Sequence, residues 1–235
     1  MTTIVSQPVN QPINQPIHYP SGDGQPIAET CDHVYVILAT IAVLRQYFSD
    51  QQACVLGNQF LYYSQGFPRL RCAPDVMVIL GTEPGSRDSY KLWEEGEVPK
   101  VVFEMTSEST RQTDEGFKRD LYAQIGIEEY WQFDPKGEWI TEQLRGFQLQ
   151  DDRYIPITNA TSSALGLRLE VSDTLISFYR LDNGEKLLIP DELYEQAQQL
   201  QQELSQTQAE LLATRSQAEA LQAQLDQYRD RFGSL

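Results

Sequence analysis

The chain has 235 residues, of which 34 are acidic and 18 basic, for a net charge of −16. That length holds one mid-sized domain with a real core, plus appendages. The charge argues against a protein that coats nucleic acid irrespective of sequence, which needs a basic surface, yet it leaves room for a metal-dependent enzyme with a small basic cleft.

The opening MTTIVSQPVN lacks the basic and apolar segments of a secretory leader. Residues 1–20 carry a QPVNQPINQPIHYP repeat. Proline at every third or fourth position denies helix and sheet, so the prediction is an extended, disordered arm. From about Ala28 to Phe48, Val34, Ile37, Leu38, Ile41, Leu44 and Phe48 follow helical spacing, with Thr30 or Asp32 as cap. Ala53–Leu56 and Gln59–Tyr63 read as strands joined by a tight turn at Gly57-Asn58. A strand at Asp75–Leu80 ends at Gly81, a long polar loop covers 82–99, and a strand follows at Lys100–Thr106. Ser109 or Thr110 begins a helix that Gly126 ends after Ile125. Glu129–Phe133 is the next strand, closed by a turn at 134–137, and runs at 138–149, 153–157, 165–171 and 174–180 read as hairpin strands. This order fits an α/β fold with a mixed sheet.

Pro190-Asp191 opens a different regime. Leu193, Ala197, Leu200, Leu204, Thr207, Leu211, Thr214, Ala218, Leu221, Leu225, Tyr228 and Phe232 step by alternating fours and threes. That pattern predicts a coiled coil. Glutamines dominate beside the seam, and Glu210 with Arg215 offers an attractive pair across a parallel dimer. The expectation is homo-oligomerisation through residues 191–235; the alternative is one helix folded back on its own domain. The three regions are therefore 1–20, 21–189 and 190–235.

No stretch reaches 18 apolar residues, so no membrane contact is expected. Cys31, Cys54 and Cys72 follow no CxxC or Cys/His pattern, which argues against a disulfide framework and a zinc site. A cytoplasmic protein with reduced thiols is expected. His18 and His33 lack Ser or Cys partners in any known arrangement, and no GxGxxG or Walker sequence occurs.

The chemistry concentrates between Pro74 and Pro135. Asp75 opens an apolar strand, and Glu104 interrupts another. On that strand Val102, Glu104 and Thr106 share one face, while Val101, Phe103 and Met105 share the other. A carboxylate in such a run must be paired, metal-bound or at a sheet end. Lys118 lies one helical turn after Asp114 and one before Tyr122. Two carboxylates on adjacent strands with a nearby lysine suit Mg²⁺-dependent phosphodiester cleavage. Taken singly, Asp75 is a turn residue, Glu104 an exposed sheet position and Lys118 half of a surface ion pair. Tyr122 and Trp131 read as packing residues.

The segments YPSGDGQPIAET (19–30), APDVMVI (73–79), SYKLWEEG (89–96), VVFEMTSEST (101–110) and GIEEYWQFDP (126–135), with Asp114, Lys118 and Tyr122, carry a resemblance. From about Tyr19 to Ile189 the chain resembles the Uma-type restriction endonuclease domain family of the PD-(D/E)XK nuclease superfamily. The resemblance implies a restriction-endonuclease-like mixed sheet flanked by helices. It implies Asp75, Glu104 and the Met105 carbonyl as ligands of Mg²⁺ (or Mn²⁺), Lys118 as the catalytic amine and Glu29 as a further site carboxylate. Thr106 stands where the superfamily pattern has lysine, and Lys118 on the next helix would replace it. The expected activity is a Mg²⁺-dependent endonuclease acting on DNA. The competing expectation is a non-catalytic binding or scaffold protein that retains the fold.

Overall fold

The computed structural model describes residues 16–24, 29–107 and 114–233, so the repeat at 1–15 and the helix start at 109–110 lie outside the described residues. The chain divides into two compact units, 1–187 and 188–235.

The first unit is built on a six-stranded sheet. In spatial order its strands are β1 (Ala53–Leu56), β4 (Val76–Leu80), β6 (Val101–Met105), β7 (Glu129–Phe133), β8 (Leu144–Gln150) and β9 (Arg153–Ile157). The β6–β7 pair is parallel and every other pair is antiparallel, so the sheet is mixed. A parallel pair needs a crossover, supplied here by a helical stretch. It comprises a π-helical turn at Asp114–Lys118 and helix α3 (Arg119–Ile125), the latter stopped by Gly126 at φ 90°. Two short sheets accompany the main one. The first joins β2 (Leu61–Tyr62) to β3 (Arg71–Cys72) and β5 (Tyr90–Lys91). The second contains β10 (Thr161–Ser162), β11 (Leu167–Ser172), β12 (Leu175–Arg180) and β13 (Lys186–Leu187).

Central strands β6 and β7 are buried along their whole length, which explains their near-continuous apolar sequences. Met77, Ile79, Val102 and Tyr130 belong to one apolar cluster with Tyr122 and Ile127. Phe103, which alternates to the other face, meets Phe178 of β12 edge to face at 6.0 Å. Each such side chain contributes roughly 2 kcal/mol when fully buried.

Helix α1 (Cys31–Tyr47) is capped by Thr30, whose side chain accepts from the His33 amide. Its buried stripe is His33, Val36, Ile37, Thr40, Val43 and Leu44. That stripe differs from the predicted one, because Val34 and Leu38 are exposed. The predicted β1–β2 hairpin is also corrected. Asn58 does turn the chain, at φ 51°, but its amide bonds the carbonyls of Pro74 and Asp75, and β1 and β2 enter different sheets. Gly57 eases this approach, since a Cβ there would displace the Ile41 side chain and come to 3.0 Å from the Asp75 carbonyl oxygen.

The segment 82–99 contains β5 and a short helix α2 (Leu92–Glu95). Arg87 organises it by donating to the Glu95 carboxylate, the Thr82 hydroxyl and the Glu83 carbonyl. Strand β8 begins at Leu144, later than predicted, because Asp134 gathers residues 136–140 into a loop. Tyr19 packs edge to face on Tyr62 and tilted against Trp93, and the Tyr62 hydroxyl donates to the Pro20 carbonyl at 2.5 Å.

The second unit is helix α4 (Pro190–Phe232), 43 residues long. At 1.5 Å per residue it extends about 64 Å. Pro190 occupies the first turn and Glu192 reaches back to the Ile189 amide at 3.2 Å. Leu200, Leu204, Leu211, Leu221, Leu225 and Phe232 are all exposed. Arg215 pairs with Glu219 four residues along the same helix, and Gln206 with Glu210. No helix among the described residues is long and apolar enough to cross a membrane.

Candidate active site

The site forms where the β4–β6 ladder ends. Val76 pairs with Phe103, and the same register carries Asp75 opposite Glu104. Beyond that pair the Met105 amide faces no strand residue. Asp75 takes it instead, with Oδ2 accepting from the Met105 N–H at 2.6 Å. In an extended strand a residue's N–H and C=O point to the same side, so the Met105 carbonyl is turned toward Asp75 as well.

Glu104 is fully buried. An isolated carboxylate could not remain charged there, and the crossover helix supplies two partners. Lys118 Nζ donates to Oε2 at 2.8 Å, and the Tyr122 hydroxyl donates to Oε1 at 2.5 Å. Lys118 and Tyr122 are four residues apart, so both descend on one carboxylate from one helical face. Lys118 closes the π-helical turn, and such turns are rare and recur at functional sites. Burial first, and then the Glu104 charge, pushes the Tyr122 phenol well above its ordinary range, so it stays protonated and keeps donating. The neighbouring Cys72 thiol is pushed up to about 12 by burial and by the same carboxylate.

The row continues across the sheet. Glu104 pairs in register with Gln132, and Gln132 with Arg145. The Arg145 Nε donates to Gln132 Oε1 at 2.7 Å, and Gln132 Nε2 donates to the Tyr130 hydroxyl.

His33 enters from α1. Its Nε2 lies 3.9 Å from Asp75 Oδ2, and its side chain is 7% exposed. It also lines a cleft of about 720 Å³ with Glu29, Thr106, Asp134, Lys136 and Trp139. Glu29 is exposed at this cleft, just before the helix cap. Thr106, two residues beyond Glu104, is 3% exposed, and among the described residues its hydroxyl has no hydrogen-bond partner.

Asp75, Glu104 and Met105 thus present two carboxylates and a turned carbonyl, the hard oxygen donors that Mg²⁺ takes while keeping several waters. Among the described residues no group of three or more His, Cys, Asp and Glu is placed to hold an ion unaided. The donor set fits a hydrated ion better than one caged by protein.

Two roles escaped the sequence. Tyr122 packs in the core as the sequence indicates, and its hydroxyl also donates to Glu104; its four-residue spacing from Lys118 is the signal for that second role. His33 has no catalytic partner near it in sequence, and it meets Asp75 only through the fold. Trp131 is indeed a packing residue, buried against Gly146, where a Cβ would come within 2.5 Å of the ring.

Comparison with known proteins adds independent information. A crystal structure described as "a putative nuclease belonging to DUF820" from Anabaena variabilis ATCC 29413 is similar at 14% identity. The match has a TM-score of 0.43 and covers 60% of this chain and 76% of that one. No curated protein sequence matches. The family model Uma2, "Putative restriction endonuclease", matches residues 7–180. The chain belongs to that Uma2 family.

Proposed function

We propose that the protein is a metal-dependent endonuclease that hydrolyses phosphodiester bonds in DNA. The observation that carries this reading is the convergence of Asp75, Glu104 and Lys118 at one strand end, beside a cleft. Asp75, Glu104 and the Met105 carbonyl would hold Mg²⁺, or Mn²⁺ in its place. When bound, such an ion offsets phosphate charge and lowers the pKa of a bound water.

The chain's own residues do the positioning. The Met105 amide fixes the Asp75 carboxylate, with His33 beside it. Tyr122 and Lys118 fix both oxygens of Glu104. The Lys118 ammonium is the nearby cation that orients the attacking water and stabilises charge developing on the phosphate oxygens. Glu29, at the cleft, is assigned an auxiliary role.

The exposed leucine stripe of α4 supports homo-oligomerisation as a coiled coil, because a lone helix would leave that stripe in water. Two joined subunits would present two sites to two strands. Cys31, Cys54 and Cys72 are free, in keeping with action in the cytoplasm.

One observation favours the scaffold alternative: both Glu104 oxygens already have partners within the chain. Plasmid DNA incubated with and without Mg²⁺ separates the two readings. Nicking by the wild type in Mg²⁺, lost at least a thousandfold in Asp75→Asn, supports the nuclease. Equal nicking by both proteins, or no heat of Mg²⁺ or Mn²⁺ binding by calorimetry, refutes it.

A further inference from the structure

The chain is acidic, yet its longest stretch without Asp or Glu runs from Gln51 to Pro74, directly before Asp75. The middle of that stretch is the β2–β3 connection, with the sequence YSQGFPRL at 63–70. Two turns build it: the Phe67 amide bonds the Ser64 carbonyl, and the Leu70 amide bonds the Phe67 carbonyl. Gly66 sits at φ 89°, where any side chain would be strained. The connection is braced from both sides. The Gly66 N–H donates to the Tyr19 hydroxyl at 2.6 Å. Arg71 lies 4.1 Å over the Phe60 ring and donates to the Tyr62 hydroxyl and the Pro68 carbonyl.

The backbone of the tip is held, while its side chains face water. Phe67 is 62% exposed and Leu70 41%, with Arg69 exposed between them. Leaving a large ring in water gains the fold nothing, so a braced turn that displays one points to a contact outside the chain. The charge around it selects the partner. Arg87, Lys91, Lys100 and Lys118 are each paired with a glutamate, whereas Arg69 lies within the acid-free stretch. An apolar ring beside a guanidinium suits a nucleic acid, the ring entering between bases and the cation meeting a phosphate. The place fits too. Cys72, at the base of the hairpin, packs on the cluster that contains Tyr122, and the Tyr122 hydroxyl donates to Glu104. At 3.4 Å per extended residue, Leu70 lies within about 17 Å of Asp75, the length of about five base pairs.

We infer that the β2–β3 turn grips duplex DNA, with Phe67 wedged between bases and Arg69 on a backbone phosphate, a few base pairs from the acid site. The inference rests on the nuclease reading and names the residues that hold its substrate. It also accommodates the net charge of −16, because the grip needs only a small surface cleared of acids.

The test is fluorescence anisotropy with full-length protein, no divalent ion and a labelled duplex, read across a salt series. Phe67→Ala should weaken binding roughly tenfold, as expected for one stacked ring, while Phe67→Trp stays close to the wild type. Arg69→Gln should lower the slope of log K against log salt by about 0.9, the signature of one lost phosphate contact. Both side chains are exposed, so the melting temperatures should hold. A wild type that does not bind the duplex overturns the inference. So does a Phe67→Ala protein that binds like the wild type, or an Arg69→Gln protein with the full salt slope. Self-association lost in Phe67→Ala, with DNA binding unchanged, would assign the turn to a second copy and overturn it as well. Plasmid nicking in Mg²⁺ that both variants retain in full would refute this inference and leave the nuclease reading intact. DNA held through both residues and never cut would do the reverse.

Discussion

The strand-end site and the long helix handle exposed chemistry in opposite ways. At the strand end the fold brings a charged group inside and gives both of its oxygens partners from the same chain. Along α4 the fold does nothing of the kind, and its leucines stay in solvent over six turns and more. The domain meets the needs of its own buried charge, whereas the proposed coiled coil would draw the helix's stability from another molecule. A lesion in the first should register as lost folding energy. A lesion in the second should register as lost assembly.

The sharpest way to break this contrast is Lys118→Ala. It leaves Glu104 buried without its counter-charge, and the domain should lose about 3–5 kcal/mol by urea denaturation. A loss below about 1 kcal/mol would mean that Glu104 is not charged in the fold. Tyr122→Phe removes one hydrogen bond to a charged group, and about 2 kcal/mol should go. Gly146→Ala tests packing alone. Its new Cβ would come within 2.5–2.7 Å of the Trp131 ring, and overpacking of that kind costs about 1–3 kcal/mol.

The alkaline limb gives a smaller signal. The Cys72 thiol titrates near 9.0 when unfolded and at about 12 in the fold. The neutral thiol is favoured by folding, so its contribution is complete below pH 9.0 and disappears as the pH rises toward 12. Cys72→Ala should flatten the decline in denaturation midpoint across that window. At pH 8 its alkylation should also be about a thousandfold slower in the folded than in the unfolded protein, following the thiolate fraction. The smallest effect on the domain belongs to Leu204→Asn with Leu211→Asn. Light scattering should show the mass falling to the monomer value, with the domain's melting temperature unchanged. An unchanged mass would remove the assembly half of the comparison.

Much of this was legible in the sequence, for identifiable reasons. Strands β1, β7 and β9 stand at the predicted residues, because each is a short apolar or alternating run between turn residues. The face shared by Val102, Glu104 and Thr106 follows from strand parity alone. Helix α1 shows what is not legible. Val34 and Leu38 are as apolar as the residues actually buried, and the true stripe begins one residue earlier with a histidine. Hydropathy alone could not reject the wrong stripe, and choosing it hid the approach of His33 to Asp75. The β1–β2 hairpin failed similarly. A turn signal states that the chain reverses, and says nothing about which strand each arm will join.

The strap at Gly57-Asn58 has a consequence for heredity. The Asn58 amide bonds the carbonyls of both Pro74 and Asp75, and a methyl group at Gly57 would press on the Asp75 carbonyl oxygen at 3.0 Å and displace the Ile41 side chain. A random screen for inactive alleles should therefore recover Gly57 beside the acids themselves. Such alleles would look inexplicable on a linear map, eighteen positions from Asp75 and bearing no reactive atom.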